Sequence, residues 1–370
     1  MNNHDSKEPR REGANKQAQQ SGCTEMQYVG IDVHKQDCQV CIMDRQGEIT
    51  ELRIRTTRER LRDLQAEQAR AKILLEVSTE SEWVARCLEE LGHEVIVADP
   101  NFAPMYATRS KKVKTDKRDA RALAEAAKLG AYRQAHRTSD EKRHIRTKLS
   151  VRAVLVKSRA TYILMCGALL RQRGDRVASG GAEGYVRRVE KLTLEEGVQK
   201  EITPLLLMME QLNDQIERMD KVLEKEVAQE PEAQRLCTMP SIGPVTALAF
   251  VAAIDGAQRF SNAHQVESYL GLVPREYSSG EKQSRGRITK CGNAQVRRLL
   301  VQAAQSTMRL RKPETARLWL WATGIQKKRG KKIAVVALAR RIAGILWAMM
   351  RDKTPYQEQP GRIEQMEEAA

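Results

Sequence analysis

The sequence predicts an α/β N-terminal domain, a long-helix coiled-coil arm and a mainly α C-terminal domain. Three observations carry this prediction. Between residues 28 and 98 short apolar runs alternate with amphipathic segments, the pattern of a partly parallel sheet flanked by helices. From residue 139 the periodicity lengthens into two extended helical runs, and beyond Pro231 shorter helical segments are separated by Gly and Pro. The expected boundaries are a disordered extension over 1–25, the α/β domain over 26–138, the arm over 139–230, the C-terminal domain over 231–352 and a flexible tail over 353–370.

The extension, "MNNHDSKEPRREGANKQAQQSG", has no apolar core, which excludes a signal peptide or a folded element. "YVGIDVHKQDCQVCIMD", a turn at Arg45-Gln46-Gly47 and "EITELRIRT" read as a meander of two or three strands. A helix over 58–69, the run "KILLEVS", a helix over 80–91 and the run "HEVIVADP" follow. A helix over 139–171 begins the arm. A second, over 203–230, takes Thr203-Pro204 as cap and first turn. In it Leu205, Met209, Leu212, Ile216, Met219 and Leu223 alternate spacings of four and three, a coiled-coil seam that serves either an intramolecular helical hairpin or a dimerisation arm. "LCTMPSIGPVTALAFVAAI" reads as two helices joined at Pro240-Ser241-Ile242-Gly243. That turn resembles a helix-hairpin-helix, which offers N–H groups to phosphate, or is plain helix packing.

Across 370 residues the net charge is +16, which points to a polyanionic partner. Membrane is the competing polyanion, but the longest apolar stretch, 333–350, is interrupted by Arg340 and Arg341 and reads as a buried helix. Seven cysteines without a repeating spacing suit reduced thiols in a cytoplasm. Cys38 and Cys41 lie three apart in a strand and so on opposite faces, against a zinc or redox pair.

Against this basic background the acids in "KTDKRDARALAEAAKLG" need a reason. Thr115 is a good N-cap, and first-turn aspartates complement the helix dipole. At about 100° per residue, Asp116 and Asp119 also fall within roughly 80° of the stripe of Leu123, Ala127 and Gly130, facing the protein body. Asp32 interrupts "YVGIDV" on the face of Gly30 and His34, and Glu76 ends "ILLE" in an interior strand. Buried carboxylates require compensating cations. Together the four make a cluster suited to two Mg²⁺ ions, hard cations that sit next to phosphate oxygens and stabilise phosphoryl transfer. Their order is that of a ribonuclease H-like fold. His34 invites a role as acid or base, though a polar strand residue beside Asp32 is the preferred reading.

The C-terminal segment "YLGLVPREYSSGEKQSRGRITKCGNAQVRRLLVQAA" places Ser278 and Ser279 in a Gly- and Pro-punctuated loop among Arg275, Lys282, Arg285, Arg287, Lys290 and Arg297. No G-x-S-x-G elbow accompanies them, and a serine among arginines suits attack on phosphate. Its activation calls for a metal or a base. The basic residues Lys111, Lys112 and Lys114 and the run from Lys327 to Lys332 either touch phosphates or are solvated surface.

With these residues in hand, the chain resembles the bacterial insertion-sequence transposases of the family numbered one hundred and ten, in its eleven-hundred-and-eleven subgroup. The likeness rests on "GIDVHK", "LLEVST" and "KTDKRDARALA", and on "MPSIGPVTA", "YLGLVPREYSSG" and "GRITKCGNAQVRRLL", in that order. It implies a RuvC-like domain whose metal set is Asp32, Glu76, Asp116 and Asp119. It further implies a nucleophile at Ser279, with Ser278 as the alternative, and a composite site shared within a dimer or tetramer. The implied partners are donor and target DNA and a guide RNA encoded by the element, in a bacterial cytoplasm at the nucleoid. Two rivals remain: a metal-dependent nuclease or junction resolvase without a covalent intermediate, and a nonenzymatic nucleic-acid-binding protein.

Overall fold

A computed structural model describes residues 26–44, 46–65, 70–107, 115–279 and 282–357, with backbone alone at 65, 277–279 and 282–285. The expected extension over 1–25, the tail beyond 357, and Lys111, Lys112 and Lys114 lie outside the described residues. Contacts divide the chain into two compact units, one ending at Arg137 and one beginning at Thr138.

In the first unit β1 (Gln27–Val33), β2 (Asp37–Met43) and β3 (Ile49–Arg55) form the expected antiparallel meander. Asp44 shapes the β2–β3 turn by accepting from Gly47 N and Glu48 N at 2.7 and 2.8 Å. Next come α1 (Arg58–Gln65), β4 (Ala71–Glu76), α2 (Ser81–Glu89), β5 (Glu94–Ala98) and α3 (Asp116–Leu129). The sheet order is β3-β2-β1-β4-β5, with β4 parallel to both β1 and β5. This mixed α/β sheet is compatible with a ribonuclease H-like fold.

Alternation sorts β1 between two layers. Val29, Ile31 and Val33 pack with Ile73 and Leu75 against Leu61 of α1 and Val84, Ala85 and Leu88 of α2. Tyr28 and Gly30 turn the other way, to the face where Leu74, Ile96 and Ala98 meet Leu123, Ala126 and Ala127 of α3. Cys38 belongs to the first layer and Cys41 to the second, so the C-x-x-C pair is split. Burial pushes the Cys41 thiol up to about 11, which makes it a neutral core group.

In the second unit Ser139 caps α4 (Asp140–Gln172), accepting from Lys142 N at 3.4 Å. After α5 (Tyr185–Val189), α6 (Glu196–Gln229) returns antiparallel to α4 as a helical hairpin. Lys142 pairs with Glu230, Lys148 with Glu226 and Arg152 with Asp220 along it. Met209, Leu212, Ile216 and Leu223 of the expected seam are buried. α6 begins earlier than expected, so Thr203-Pro204 is not its start and Pro204 lies inside the helix. Burial of Val198 and Ile202 against Cys166, Leu170 and Tyr185 holds the turns ahead of it, against a cost of about 3 kcal/mol for an internal proline.

α7 (Pro231–Cys237) and α8 (Pro244–Ile254) are the two expected helices, joined through Ser241 in the left-handed region at φ 72°. Every residue of α8 from Ala247 to Ile254 is buried. α9 (Ala263–Tyr269), β6 (Pro274–Ser279), β7 (Lys282–Ile288), α10 (Ala294–Leu310), α11 (Ala316–Arg329) and α12 (Lys331–Asp352) complete the unit. α12 is the expected buried helix; its Arg340 pairs with Glu267, and Arg341 lies 4.7 Å from the ring centre of Trp321. By length and composition α4 also is apolar enough to cross a membrane, although charged residues interrupt its apolar runs. The first residues of the expected tail are tied down: Tyr356 N donates to Thr238 Oγ1 at 2.8 Å.

Candidate functional site

The site begins with an absent side chain. A Cβ at Gly30 would lie 2.0 Å from Ala120 O and 2.4 Å from Ala124 N, so only glycine lets the α3 backbone settle on β1. Thr115 starts that helix, its Oγ1 accepting from Arg118 N at 3.4 Å, and Gly130 ends it in the left-handed region. α3 is thereby held with its first turn beside Asp32, two residues beyond Gly30 on the same face.

Asp32 Oδ2 lies 3.3 Å from His34 Nε2, which in turn lies 3.5 Å from Asp116 Oδ1. Among the described residues, Asp32, His34 and Asp116 each offer a ligand atom, all within 4.8 Å of one another. Asp119 is 7% exposed, facing the body as its helical position predicts. Asp116 departs from that expectation: its side chain is 57% exposed against 14% for Asp32, because the first helical residue reaches past the apolar stripe. Glu76 ends β4, and the register Ile31↔Leu75 makes it the next cross-strand neighbour of Asp32. It follows Lys72 and Leu74 on the α3 face of the sheet.

Two carboxylate oxygens and an imidazole nitrogen at this spacing are a donor set that fits a divalent cation. Beside it a cavity of about 420 Å³ is lined by His34, Lys35, Gln39, Arg53 and Asp116, among others. His34 is the residue that sequence reasoning set aside as a mere strand polar group. It stands just past the end of β1, half exposed, and the signal that could have found it was its i+2 spacing from Asp32.

The serine segment departs from expectation. Residues 274–279 and 282–288 form an antiparallel ribbon, β6 and β7, where a loop was expected, and in it Ser278 is opposite Gln283 and Ser279 opposite Lys282. The side chains of Ser278, Ser279, Lys282 and Arg285 lie outside the described residues. The ribbon's base is clamped where a Cβ at Gly271 would meet Cys291 O at 2.1 Å. Arg297 Nη1 donates to the carbonyls of Leu270, Cys291 and Gly292 at 3.0, 2.7 and 3.2 Å, serving that base directly. Arg275, Arg287 and Lys290 are exposed.

A second cavity, of about 740 Å³, opens among α10, α11 and α12. Gln302, Gln305, Arg309, Arg311, Trp319, Gln326 and Lys331 line it, and among the described residues no carboxylate does. Lys331 belongs to the expected basic run, whereas Arg309 and Arg311 were not singled out in the sequence.

The chain matches the family profile described as Transposase IS116/IS110/IS902 family over residues 233–320. An IS110-type DEDD transposase profile covers residues 29–173. A probable family 20 transposase of Pseudomonas aeruginosa is 30% identical over 334 residues, 89% of this chain and 98% of the relative. The transposase for insertion sequence element IS1111A of Coxiella burnetii is 27% identical across 90% of this chain and 92% of its own length. The transposase for IS1328 of Yersinia enterocolitica is 27% identical across 89% and 98%.

Proposed function

The chain belongs to the IS116/IS110/IS902 transposase family, and from that premise we propose that it excises and inserts a mobile DNA element by strand exchange. Asp32, Glu76, Asp116 and Asp119 hold Mg²⁺ and Ser279 supplies the attacking group, with Ser278 as the alternative. The observation that carries the metal assignment is the convergence of Asp32 of β1 and Asp116 of α3, distant in sequence, where that helix is seated against Gly30.

When bound, divalent ions offset the charge on the oxygens entering and leaving phosphorus. Asp32, from the strand, and Asp116 and Asp119, from the capped helix, are oriented by elements whose own positions are fixed by packing. Lys35, lining the cavity beside them, offers a cation to a neighbouring phosphate. The serine oxygen bonds phosphorus as the bond from phosphorus to a deoxyribose oxygen breaks, and the hydroxyl proton passes through solvent to that leaving oxygen. The reverse step, onto a second DNA end, rejoins the strand. Arg275, Arg287, Lys290 and the cations of the α10–α12 cavity meet phosphates of the nucleic acid, as do Lys111, Lys112, Lys114, Lys282 and Arg285, while Arg297, expected among them, braces the ribbon's base. A guide RNA encoded by the element pairs with donor and target DNA, and a dimer or tetramer completes the composite site in the cytoplasm, at the nucleoid.

The test is recombination of an intact element with each acid changed to its amide and each serine to alanine, read alongside denaturing gels that trap protein bound to DNA. Wild-type cleavage and joining by both Ser279→Ala and Ser278→Ala would leave water as the attacking group, the reaction of a nuclease or junction resolvase. Sequencing RNA that copurifies from cells carrying the whole element tests guidance; recovery of random fragments alone counts against it.

A further inference from the structure

We propose that His34 is itself a ligand of the divalent ion and biases the site toward Mn²⁺ over Mg²⁺. The inference rests on the reading of the acids as a metal set and goes beyond it by adding a nitrogen donor and a metal preference.

His34 Nε2 sits 3.3 Å from Asp32 Oδ2 and 3.5 Å from Asp116 Oδ1. A charge-assisted hydrogen bond between such groups closes to about 2.7–2.9 Å, and both separations here are longer. Two ligands at right angles on an ion with bonds of about 2.1 Å stand about 3 Å apart, and opposite ligands about 4.2 Å apart. The two separations from His34 Nε2, 3.3 and 3.5 Å, fall inside that range, and all three donor atoms lie within 4.8 Å of one another. His34 also needs no rearrangement of the core to bind: it lies beyond the last strand residue, Val33, and its half-exposed ring borders the cavity of about 420 Å³.

An oxygen set suits both ions, but Mg²⁺ keeps its waters and gains little from imidazole, whereas Mn²⁺, at the foot of the first-row series, still gains modestly from a nitrogen donor. His34 therefore strengthens Mn²⁺ binding and leaves Mg²⁺ binding nearly unchanged.

The experiment titrates the full chain, free of nucleic acid, with Mn²⁺ and separately with Mg²⁺ by calorimetry. The electron-spin resonance of bound Mn²⁺ reports whether nitrogen is coordinated. His34→Ala and His34→Gln should each weaken Mn²⁺ about tenfold or more, at least the effect of losing an outer-shell partner of a metal ligand. Mg²⁺ affinity should change by less than about threefold, and the nitrogen coupling should vanish. Melting of the ion-free variants should match wild type, since the ring is outside the core. Equal weakening of both ions, unchanged Mn²⁺ affinity, tighter Mn²⁺ binding in His34→Ala, or wild-type Mn²⁺ without nitrogen coupling would each overturn the proposal. Failure of the underlying reading looks different: Asp32→Asn would then leave the binding of both ions as in wild type.

Discussion

In the N-terminal unit the acids sit where the sheet and α3 meet, Asp119 buried and Asp32 nearly so, while Asp116 and His34 open to solvent. In the C-terminal unit Arg275, Arg287, Lys290, Arg309, Arg311 and Lys331 stand exposed, and the interior is apolar around α8. The difference concerns what each kind of charge costs. A buried carboxylate is expensive unless a cation compensates it, so its presence within an apolar stripe is informative by itself. An exposed cation costs almost nothing and says little alone. It acquires meaning from its neighbours, as when three cations and three glutamines line one cavity without a carboxylate among the described residues.

The sharpest way to break the comparison is to remove one group from each unit. Ser279→Ala should lower strand joining about 10⁴-fold or more and abolish the trapped adduct, by analogy with loss of a covalent nucleophile. Asp32→Asn should lower it about 10³-fold, the value of several kcal/mol of charge stabilisation, while duplex binding measured by mobility shift persists. Loss of binding in step with activity would assign Asp32 to folding.

Gly30→Val tests whether the metal geometry depends on backbone contact. It should cost about 3 kcal/mol in a urea titration by overpacking and remove the melting shift produced by divalent ions. An unmoved urea midpoint would show that α3 does not rely on Gly30. In the other unit, Arg309→Glu with Lys331→Glu should leave melting intact and lower the slope of log affinity against log salt by about 0.9 per cation on duplex DNA or 0.7 on single strands. An unchanged slope would make those cations mere surface.

The smallest expected effect is a pH dependence in the first unit. His93 is buried, accepts from Ala71 N through Nδ1 at 3.2 Å, and burial lowers its pKa below the ordinary 6.5. Folding thus favours the neutral ring. The associated stability is fully present above the unfolded value and is lost as pH falls through the folded one. His93→Gln should flatten the urea midpoint between pH 7 and 5, which fluorescence can follow; an identical slope would exclude His93 as a source.

Much of this was legible in the sequence where burial imposes a period. The meander, the parallel strands and the inward face of Asp119 follow from alternation and from 3.6-residue spacing. The start of α6 did not, because Pro204 is a plausible first-turn residue and only tertiary burial of Val198 and Ile202 carries the helix past it. The β6–β7 ribbon was missed because "PREYSS" and "KQSRGRI" bear no alternating apolar face; main-chain pairing defines it. His34 was undervalued for a related reason: a half-exposed ring leaves no hydrophobic signature, and its second partner, Asp116, comes from a helix far along the chain.

The seat of α3 on Gly30 has one more consequence. The helix rests on main-chain atoms and the Cβ of Leu123, with no longer side chain among the atoms nearest to that point. The gap between strand and helix is therefore set by atomic radii that every residue type shares, so exchanges among the surrounding Leu, Ile and Ala residues can retune stability without resetting the distance across which Asp32 and Asp116 face each other. Position 30 is the exception, where the addition of a single carbon alters the gauge.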